Sequence, residues 1–270
     1  MPKFEFDHVV HFLNQPEAFI HELNKQNIHA VEGGRHEGRG TYNALSYFDL
    51  SYIEYLGAYD EELVHKSNPA HHSMIETIIE QGFEESFVRF AIRTDDIQKA
   101  AAHFKEAGLT VTGPDAMFRK RPDGSEIHWQ LLYIGEENNK LPLPFIIQWN
   151  QSDEERRNEQ IQQGVIGQQL PNTELEGVVF VVENAEETAK RWGGYFKQPV
   201  GKTYVDQTLQ AKIVTIPLNG GELYFAEPVG EGVIKNTLLT KGEVPFQINL
   251  KGFNEEKLFE AHNGRYLLKK

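Results

Sequence analysis

The sequence predicts an α+β protein in which one unit, a strand followed by a helix and three further strands (βαβββ), is repeated in tandem. Segments that begin near Phe4, Phe87 and Leu175 each open on an apolar strand pattern and continue into a helical pattern. Each then continues with alternating apolar and polar residues, which is typical of half-buried strands. A chain of 270 residues has room for several such units in one or two domains. The recurrence of one element order is therefore the main evidence for the fold.

The first unit spans residues 4–59. Its first strand, 4–13, is followed by Pro16, a residue favoured in the first turn of a helix, and then by apolar residues at helical spacing. The remaining predicted elements are a helix at 16–25, strands at 28–31, 41–48 and 51–59, and a glycine-rich loop at 33–40.

The second unit spans residues 86–149 and follows an insertion at 60–85. In this unit Asp96 can cap a helix that stops at Gly108. The remaining predicted elements are strands at 87–93, 109–112, 127–134 and 145–149, a helix at 97–107 and a basic loop at 118–123. The insertion is expected to carry one helix, 74–81, and three surface histidines, His65, His71 and His72.

The C-terminal domain, 173–270, is expected to contain a third unit and a shortened fourth one. The third unit has predicted strands at 175–182, 210–216 and 222–226 and a helix at 185–192. The fourth has a strand at 246–250, a helix at 255–262 and a strand at 265–268. Residues 151–172 are rich in Gln, Glu and Arg, and we expect them to be a helical or irregular linker to the N-terminal domain, 1–150.

Composition narrows the range of functions. The formal net charge is −13 and the acidic residues are spread along the chain, which argues against nucleic acid and anionic membranes as partners. No run of residues is apolar enough to span a membrane, and the N-terminus lacks the pattern of a secretory leader, so we expect a cytoplasmic protein. Cysteine is absent, which excludes disulfides, thiolate metal sites and cysteine nucleophiles. A small-molecule ligand remains, together with metal sites built from His, carboxylates and neutral oxygens.

Four short motifs stand in order along the first unit. They are Asp-His-Val-Val at 7–10, Gly-Arg-His-Glu-Gly and Gly-Thr-Tyr-Asn-Ala within 34–44, and Tyr-Ile-Glu-Tyr-Leu at 52–56. Together they resemble the glyoxalase-like domain family of the vicinal oxygen chelate superfamily, which includes glyoxalase, extradiol dioxygenases, methylmalonyl-CoA epimerase and bleomycin resistance proteins. The resemblance implies that two βαβββ units form an incomplete barrel of mixed sheet around a cavity.

The resemblance also implies a metal site, because in that superfamily the first and last strands of each unit present metal ligands inward. The matching positions are His8 and Glu54 in the first unit and Arg89 and Gln148 in the second. His8 and Glu54 suit a divalent ion such as Zn, Mn, Fe or Ni, and Gln148 can add an amide oxygen. Arginine cannot ligate a cation. We therefore expect His8, Glu54 and Gln148 to be the metal ligands, and His8 and Glu54 to be the catalytic pair.

Residues expected to bind the substrate surround this pair. The glycine-rich loop carries Arg35, His36 and Arg39, so that backbone N–H groups and cations can approach a ligand oxyanion. Asn43, like His36, belongs to the motif shared with the family. On the strand at 127–134, alternation places His128 on the more polar face, which we expect to line the cavity while the apolar face meets the helix.

Arg89 lies inside an apolar strand, where an unpaired cation would be costly. Two partners stay open for it. One is Glu54, in which case the metal site is lost and the cavity becomes an anion pocket. The other is a ligand carboxylate, which a guanidinium can bind through two hydrogen bonds.

Two functions of different classes follow. One is a metal-assisted lyase, isomerase or oxygenase that acts on a small substrate with vicinal oxygens or a carboxylate. The alternative is a metal-free protein of the resistance type, which binds or sequesters a small anionic molecule on the same fold. The shortened fourth unit leaves an open sheet edge, which a homodimer would cover.

Overall fold

The computed structural model describes residues 2–120, 124–137 and 140–270, and these parts of the chain form two mixed β-sheets with seven helices. The strands of the first sheet are β1 (Phe4–Phe12), β2 (Val31–His36), β3 (Thr41–Phe48), β4 (Ser51–Ala58), β5 (Ser86–Thr94), β6 (Thr110–Lys120), β7 (Glu126–Gly135) and β8 (Phe145–Trp149). Those of the second are β9 (Glu174–Val181), β10 (Thr203–Asp206), β11 (Ala211–Ile216), β12 (Glu222–Pro228), β13 (Val244–Lys251), β14 (Lys257–Ala261) and β15 (Gly264–Leu268). The helices are α1 (Pro16–Lys25), α2 (Glu61–Lys66), α3 (Met74–Glu80), α4 (Ile97–Glu106), α5 (Asp153–Gln162), α6 (Ala185–Phe196) and α7 (Val233–Lys241).

Each sheet joins two units through their first strands. The strand orders are β2-β3-β4-β1-β5-β8-β7-β6 and β10-β11-β12-β9-β13-β15-β14. In the first sheet β1 pairs in parallel with β4 and antiparallel with β5, and in the second β9 pairs with β12 and β13 in the same two ways. Both sheets curl, so the predicted α+β fold of tandem units is confirmed.

Local sequence explains where several helices begin. Pro16 occupies the first turn of α1. Asp96 caps α4, where its Oδ1 accepts a hydrogen bond from the Lys99 N–H at 3.0 Å. Ser152 and Glu155 form a reciprocal capping box at the start of α5. This capped helix lies within the segment 151–172, for which composition leaves a helical and an irregular linker open.

One apolar core joins the two sheets. It is formed by the helix-covered faces of both and includes buried residues of α1, α4 and α6. At its centre the Phe90 ring lies 5.1 Å from that of Phe180 and 5.8 Å from that of Trp192, measured between ring centroids. The opposite face of the first sheet is left to form a separate cavity.

A β-bulge at Asp7 decides which side chains reach that cavity. β1 and β5 pair Phe6 with Ile92 and His8 with the preceding residue of β5, so Asp7 is an extra residue. The extra residue reverses the alternation of the strand: Phe6 packs in the helix-covered core, whereas His8 faces the cavity. Simple alternation, which puts Phe6 and His8 on one face and Asp7 on the other, is therefore wrong at this point.

Four predicted segments differ from the structure. The segment 255–262, expected to be a helix, contains strand β14 instead, which forms a hairpin with β15 because the chain turns at His262 and Asn263, both with positive φ. The first half of the glycine-rich segment, 33–36, belongs to strand β2, and the basic segment belongs to β6 as far as residue 120, while residues 121–123 lie outside the described ranges. The insertion at 60–85 holds two helices, α2 and α3.

Candidate functional site

The candidate site is a cavity on the open face of the first sheet. The volume of this cavity is about 120 Å³. Both units contribute to its wall, and so do two segments outside them: the first turn of α3 with the residue before it, and α5 with Gln151 before it. Its polar lining includes His8, His36, Arg39, Asn43, Glu54, Arg119, Gln151, Arg156 and Gln160. Its apolar and aromatic lining includes Tyr47, Tyr52, Leu56, Met74, Ile127, Trp129, Leu131, Tyr133, Phe145, Ile147 and Trp149.

An Asp–His pair lies at the base of the cavity. The bulge turns Asp7 toward His8, and Asp7 Oδ1 lies 2.7 Å from His8 Nδ1. Burial opposes ionisation of Asp7, but the Arg156 charge and the His8 hydrogen bond hold the pKa of this carboxyl well below its usual range. Because an ionised carboxylate can only accept, His8 Nδ1 carries the proton and His8 Nε2 has a free lone pair when the ring is neutral. The stacked Tyr52 ring, 4.4 Å away, fixes the plane of the imidazole.

Glu54 faces the free nitrogen of His8. Its Oε2 lies 3.6 Å from His8 Nε2, and its Oε1 accepts a hydrogen bond from Asn43 Nδ2 at 2.6 Å. Asn43 Oδ1 in turn accepts from Arg119 Nη1 at 3.1 Å. This chain connects β4, β3 and β6, and it brings a cation from the second unit beside the carboxylate of the first. The two open lone pairs of His8 and Glu54 therefore face one shared space.

Cations and a neutral histidine surround this space. Burial lowers the pKa of His36 to about 4, so that this ring is neutral near pH 7, and its Nδ1 lies 2.9 Å from Thr41 Oγ1. Arg39 is exposed at the cavity edge, and no ion pair with a carboxylate is found for it in the described parts of the chain. Arg119 is half-buried and contacts only a neutral amide in the hydrogen bonds described. Both guanidinium groups are thus available to an anionic ligand.

Arg156 is a site residue that the sequence did not reveal. It lies on α5, is buried, and its Nη1 is 3.3 Å from Asp7 Oδ2. Its Nη2 donates to the Leu50 carbonyl at 2.7 Å, and its guanidinium lies 4.6 Å from the centre of the Trp149 ring. Nothing in the polar pattern of 151–162 separates this arginine from its exposed neighbour Arg157. Arg119 was visible only as one of several cations in a basic segment.

Gln148, expected as a metal ligand, and Arg89, expected to bind Glu54 or a ligand carboxylate, both have other partners. Gln148 faces the helix-covered side of β8, and its Oε1 accepts a hydrogen bond from the Ile97 N–H at 2.7 Å. Arg89 is buried but donates to Thr77 Oγ1 at 3.1 Å and to the Leu143 carbonyl at 2.7 Å. In the described parts of the chain no ion pair joins Arg89 to Glu54, because Thr77 of α3 and the Leu143 carbonyl occupy its guanidinium.

Two residues expected to bind the substrate also lie outside the cavity. The Arg35 guanidinium lies on the outer surface, 4.9 Å from the centre of the Tyr59 ring. His128 is 47% exposed and its Nε2 lies 3.0 Å from Glu126 Oε2. The apolar face of β7, with Trp129 and Leu131, lines the cavity instead. The expectation failed because the cavity wall is itself apolar, whereas this end of β7 projects beyond the helix that covers the sheet.

The donor set only partly fits the divalent metal that the fold family implies. His8 Nε2 and Glu54 Oε2 are placed as two ligands, and the Asp7 hydrogen bond orients the imidazole as in many metal sites. The strand positions that face them hold Ala91 and Phe145, which offer no donor atom. Two protein ligands are fewer than the three that catalytic zinc sites ordinarily have. In the described parts of the chain, no group of three His or carboxylate ligands lies in the cavity.

Comparison with known proteins places the chain in a family. A family model described as a glyoxalase-like domain matches residues 6–196. No curated protein matches the sequence significantly. Within the described ranges, no helix is long and apolar enough to cross a membrane.

Two solved structures show the same fold, and a third is less similar. A hypothetical protein from Staphylococcus aureus is similar over 98% of both chains, with a TM-score of 0.80 and 22% identity. A mutant of 4-hydroxymandelate synthase from Streptomyces coelicolor is similar over 94% of this chain and 72% of its own, with a TM-score of 0.57 and 13% identity. Methylmalonyl-CoA epimerase from the same organism matches 54% of this chain and 98% of its own, with a TM-score of 0.40 and 15% identity. With the family model covering most of its length, the chain belongs to the glyoxalase-like domain family and has the vicinal oxygen chelate fold.

Proposed function

We propose that this protein is an enzyme that binds a small carboxylate-bearing substrate in the cavity and moves a proton with His8. The observation that carries the proposal is the buried Asp7–His8 pair, which leaves His8 Nε2 as a free acceptor opposite Glu54. A neutral imidazole held in one tautomer by a carboxylate is an effective base near pH 7. The reaction class is proton abstraction next to a carbonyl or carboxylate, followed by isomerisation or elimination.

The charges around the cavity support an anionic substrate. Arg119 and Arg39 can bind its carboxylate, and the aromatic wall of Trp129 and Trp149 can enclose an apolar body. When His8 Nε2 takes the proton, negative charge develops on the adjacent carbonyl oxygen. A guanidinium within the same cavity stabilises that charge, because the apolar walls keep water from screening it. The proton is then returned to another carbon, or it protonates a leaving group.

A divalent metal on His8 and Glu54 is the second candidate for the same site. It is favoured by one observation, the 3.6 Å approach of His8 Nε2 and Glu54 Oε2 with both lone pairs open. Such an ion would bind vicinal substrate oxygens and would have to take its remaining ligands from the substrate or water, because the facing wall supplies none. A third outcome is binding without reaction, as in a sequestering protein.

Exchange of substrate hydrogen for deuterium separates these candidates. The untagged protein is incubated in D₂O with a panel of small 2-oxo acids, 2-hydroxy acids and aromatic acids, and loss of C–H signals is followed by NMR. Catalysed exchange that falls at least about 100-fold in His8→Gln supports the proposal. His128→Gln is the matched control, since His128 lies outside the cavity.

Chelation then identifies the role of a metal. Exchange that survives EDTA treatment supports proton transfer by His8 alone. Exchange that disappears with EDTA and returns with Zn²⁺, Mn²⁺, Fe²⁺ or Ni²⁺ supports the metal-assisted reaction instead. Tight binding of an acid by calorimetry, with no exchange under any condition, would contradict both and favour the sequestering function.

A further inference from the structure

The insertion between the two units of the first sheet carries a second cluster of metal-ligating groups, outside the cavity. His71, His72 and Glu76 each place one ligand atom so that all three lie within 4.8 Å of one another. His71 Nδ1 lies 2.8 Å from Glu76 Oε1, and the His72 N–H donates to Glu76 Oε2 at 2.6 Å. The cluster includes the two residues before the cap of α3 and a residue in its first turn.

The backbone conformation of His72 brings the two imidazole rings of the cluster together. Neighbouring side chains of an extended chain point to opposite sides, and for this reason the sequence predicted separate surface histidines. In the structure His72 has φ +64, in the left-handed region, and the two imidazole rings lie 3.8 Å apart on the same side. The His72 ring rests directly on Gly135, where a Cβ atom would come within 2.0 Å of it. Glycine at 135 therefore leaves the space that the ring occupies.

His72 also has bonding capacity that the described residues do not use. Its Nε2 is buried and has no hydrogen-bond partner there, which is costly for a polar atom and expected of an unliganded donor.

We propose that His71, His72 and Glu76 form a binding site for a divalent transition-metal ion such as Zn²⁺. Two imidazoles and one carboxylate are a ligand set that zinc takes in proteins, with water in the fourth position. Ligand atoms around a tetrahedral zinc ion lie about 3.3 Å apart, and the three ligand atoms here lie within 4.8 Å of one another. The ion would replace the direct contact between His71 and Glu76.

Metal binding at this cluster would stabilise part of the cavity wall. Met74 and Ile75 line the cavity and lie in the chain between the ligands His72 and Glu76. An ion that joins these ligands therefore fixes the first turn of α3, a helix of only seven residues. The site uses no residue of the cavity and does not depend on the reaction proposed for it.

Metal titration of untagged protein tests the site. Zn²⁺ binding is measured by equilibrium dialysis, and Co²⁺ is used as a spectroscopic probe of tetrahedral coordination. We expect His71→Gln and Glu76→Gln each to weaken binding by at least about tenfold. The side chain of His71 is 64% exposed, so its replacement cannot prevent folding. His21→Gln, at an exposed histidine on α1, is the control and should bind as the wild type does.

Two further variants and one readout complete the test. His8→Gln should not change Zn²⁺ binding at His71, His72 and Glu76, since His8 belongs to the cavity. If His8→Gln alone abolished all Zn²⁺ binding, the ion would lie in the cavity and the proposal would be overturned. Equal binding by wild type, His71→Gln and Glu76→Gln, or no binding by the wild type, would also overturn it. Zn²⁺ should slow amide hydrogen exchange in α3 of the wild type, and not in Glu76→Gln.

Discussion

Replacing Asp7 by Asn tests the arrangement at the base of the cavity most directly. Asn has nearly the same shape but no charge, and it adds a donor where Asp7 accepts three hydrogen bonds, from His8, Trp149 and Arg156. Asp7 is fully buried, and Arg156 is 2% exposed. The substitution therefore leaves a guanidinium without its carboxylate partner in a site from which water is excluded.

The size of the effect follows from these contacts. Removing one member of a buried ion pair typically costs about 3–5 kcal/mol. The Asp7–Arg156 distance is long, 3.3 Å, and Arg156 keeps the Leu50 carbonyl and the Trp149 ring as partners. We therefore expect the lower end, a loss of about 3 kcal/mol in the free energy of unfolding at pH 7. Because the pKa of Asp7 is held below its usual range, this contribution is fully present at neutral pH and is lost only in acid.

Urea unfolding of four proteins measures this loss. They are the wild type, Asp7→Asn, Arg156→Met and the double variant. If Asp7 and Arg156 interact as described, the double variant loses less than the sum of the single ones, with a coupling energy of about 2 kcal/mol. A loss below about 1 kcal/mol for Asp7→Asn, or a cycle in which the two effects simply add, would refute the arrangement.

Three further predictions concern a buried histidine and two arginines. Burial lowers the pKa of His11 from 6.5 to about 4, so between these pH values only the unfolded chain binds a proton at this residue. Lowering the pH from 7 to 5 should therefore reduce the free energy of unfolding by about 2 kcal/mol through His11. In urea unfolding at both pH values, His11→Gln should lose correspondingly less stability than the wild type. Arg119→Met should weaken the binding of any acid found in the exchange screen by at least about tenfold, as measured by calorimetry. Arg157→Met, which changes the surface pair with Asp49, is the control and should bind as the wild type does. Equal affinities of Arg119→Met and the wild type would show that Arg119 does not bind the ligand. Arg89→Met should change that affinity less than about twofold, because Arg89 contacts Thr77 and Leu143 outside the cavity, and a larger loss would show that it reaches the ligand.

The fold could be predicted from the sequence because each unit repeats the same local signals. A capping Asp96 and a helix-starting Pro16 mark the boundaries of two helices, and alternation marks the paired strands. The hairpin at 257–268 was missed although Asn263-Gly264 is a typical turn signal. The apolar spacing at 255–262 suits a helix and a strand equally, and only the pairing of β14 with β15 decides between them.

The sequence motifs predicted only those residues of the candidate site that belong to the first unit. His8, Glu54, His36, Arg39 and Asn43 lie around one cavity, and their roles there remain our proposal. The second unit offers no such motif, so its residues had to be assigned by position and alternation. Those rules fail where an insertion covers a strand end, as at Arg89, or where a cavity wall is apolar, as beside His128. A contact between α5 and β1, which are more than 140 residues apart in the chain, leaves no local signal at all.

The second sheet shows which part of the site belongs to the fold and which to this cavity. β9 and β13 pair Leu175 with Leu250 and Gly177 with Asn249, so Glu176 is an extra residue in the position that Asp7 has in β1. The bulge and its acidic residue are thus present in both sheets. The residue after the bulge differs: it is His8 in the first sheet and glycine in the second, where Glu176 pairs with Lys269 at 2.6 Å.

A bulge of this kind re-aims the side chain that follows it, whatever that side chain is. In the first sheet Val10 of β1 pairs with Glu54 of β4. The corresponding pair on the open face of the second sheet is Val179 of β9 with Tyr224 of β12. With glycine after its bulge and no carboxylate opposite, that face lacks both the base and its partner. The acid–base chemistry we propose is therefore confined to the first sheet, and it depends on a single imidazole at a bulge that both sheets possess.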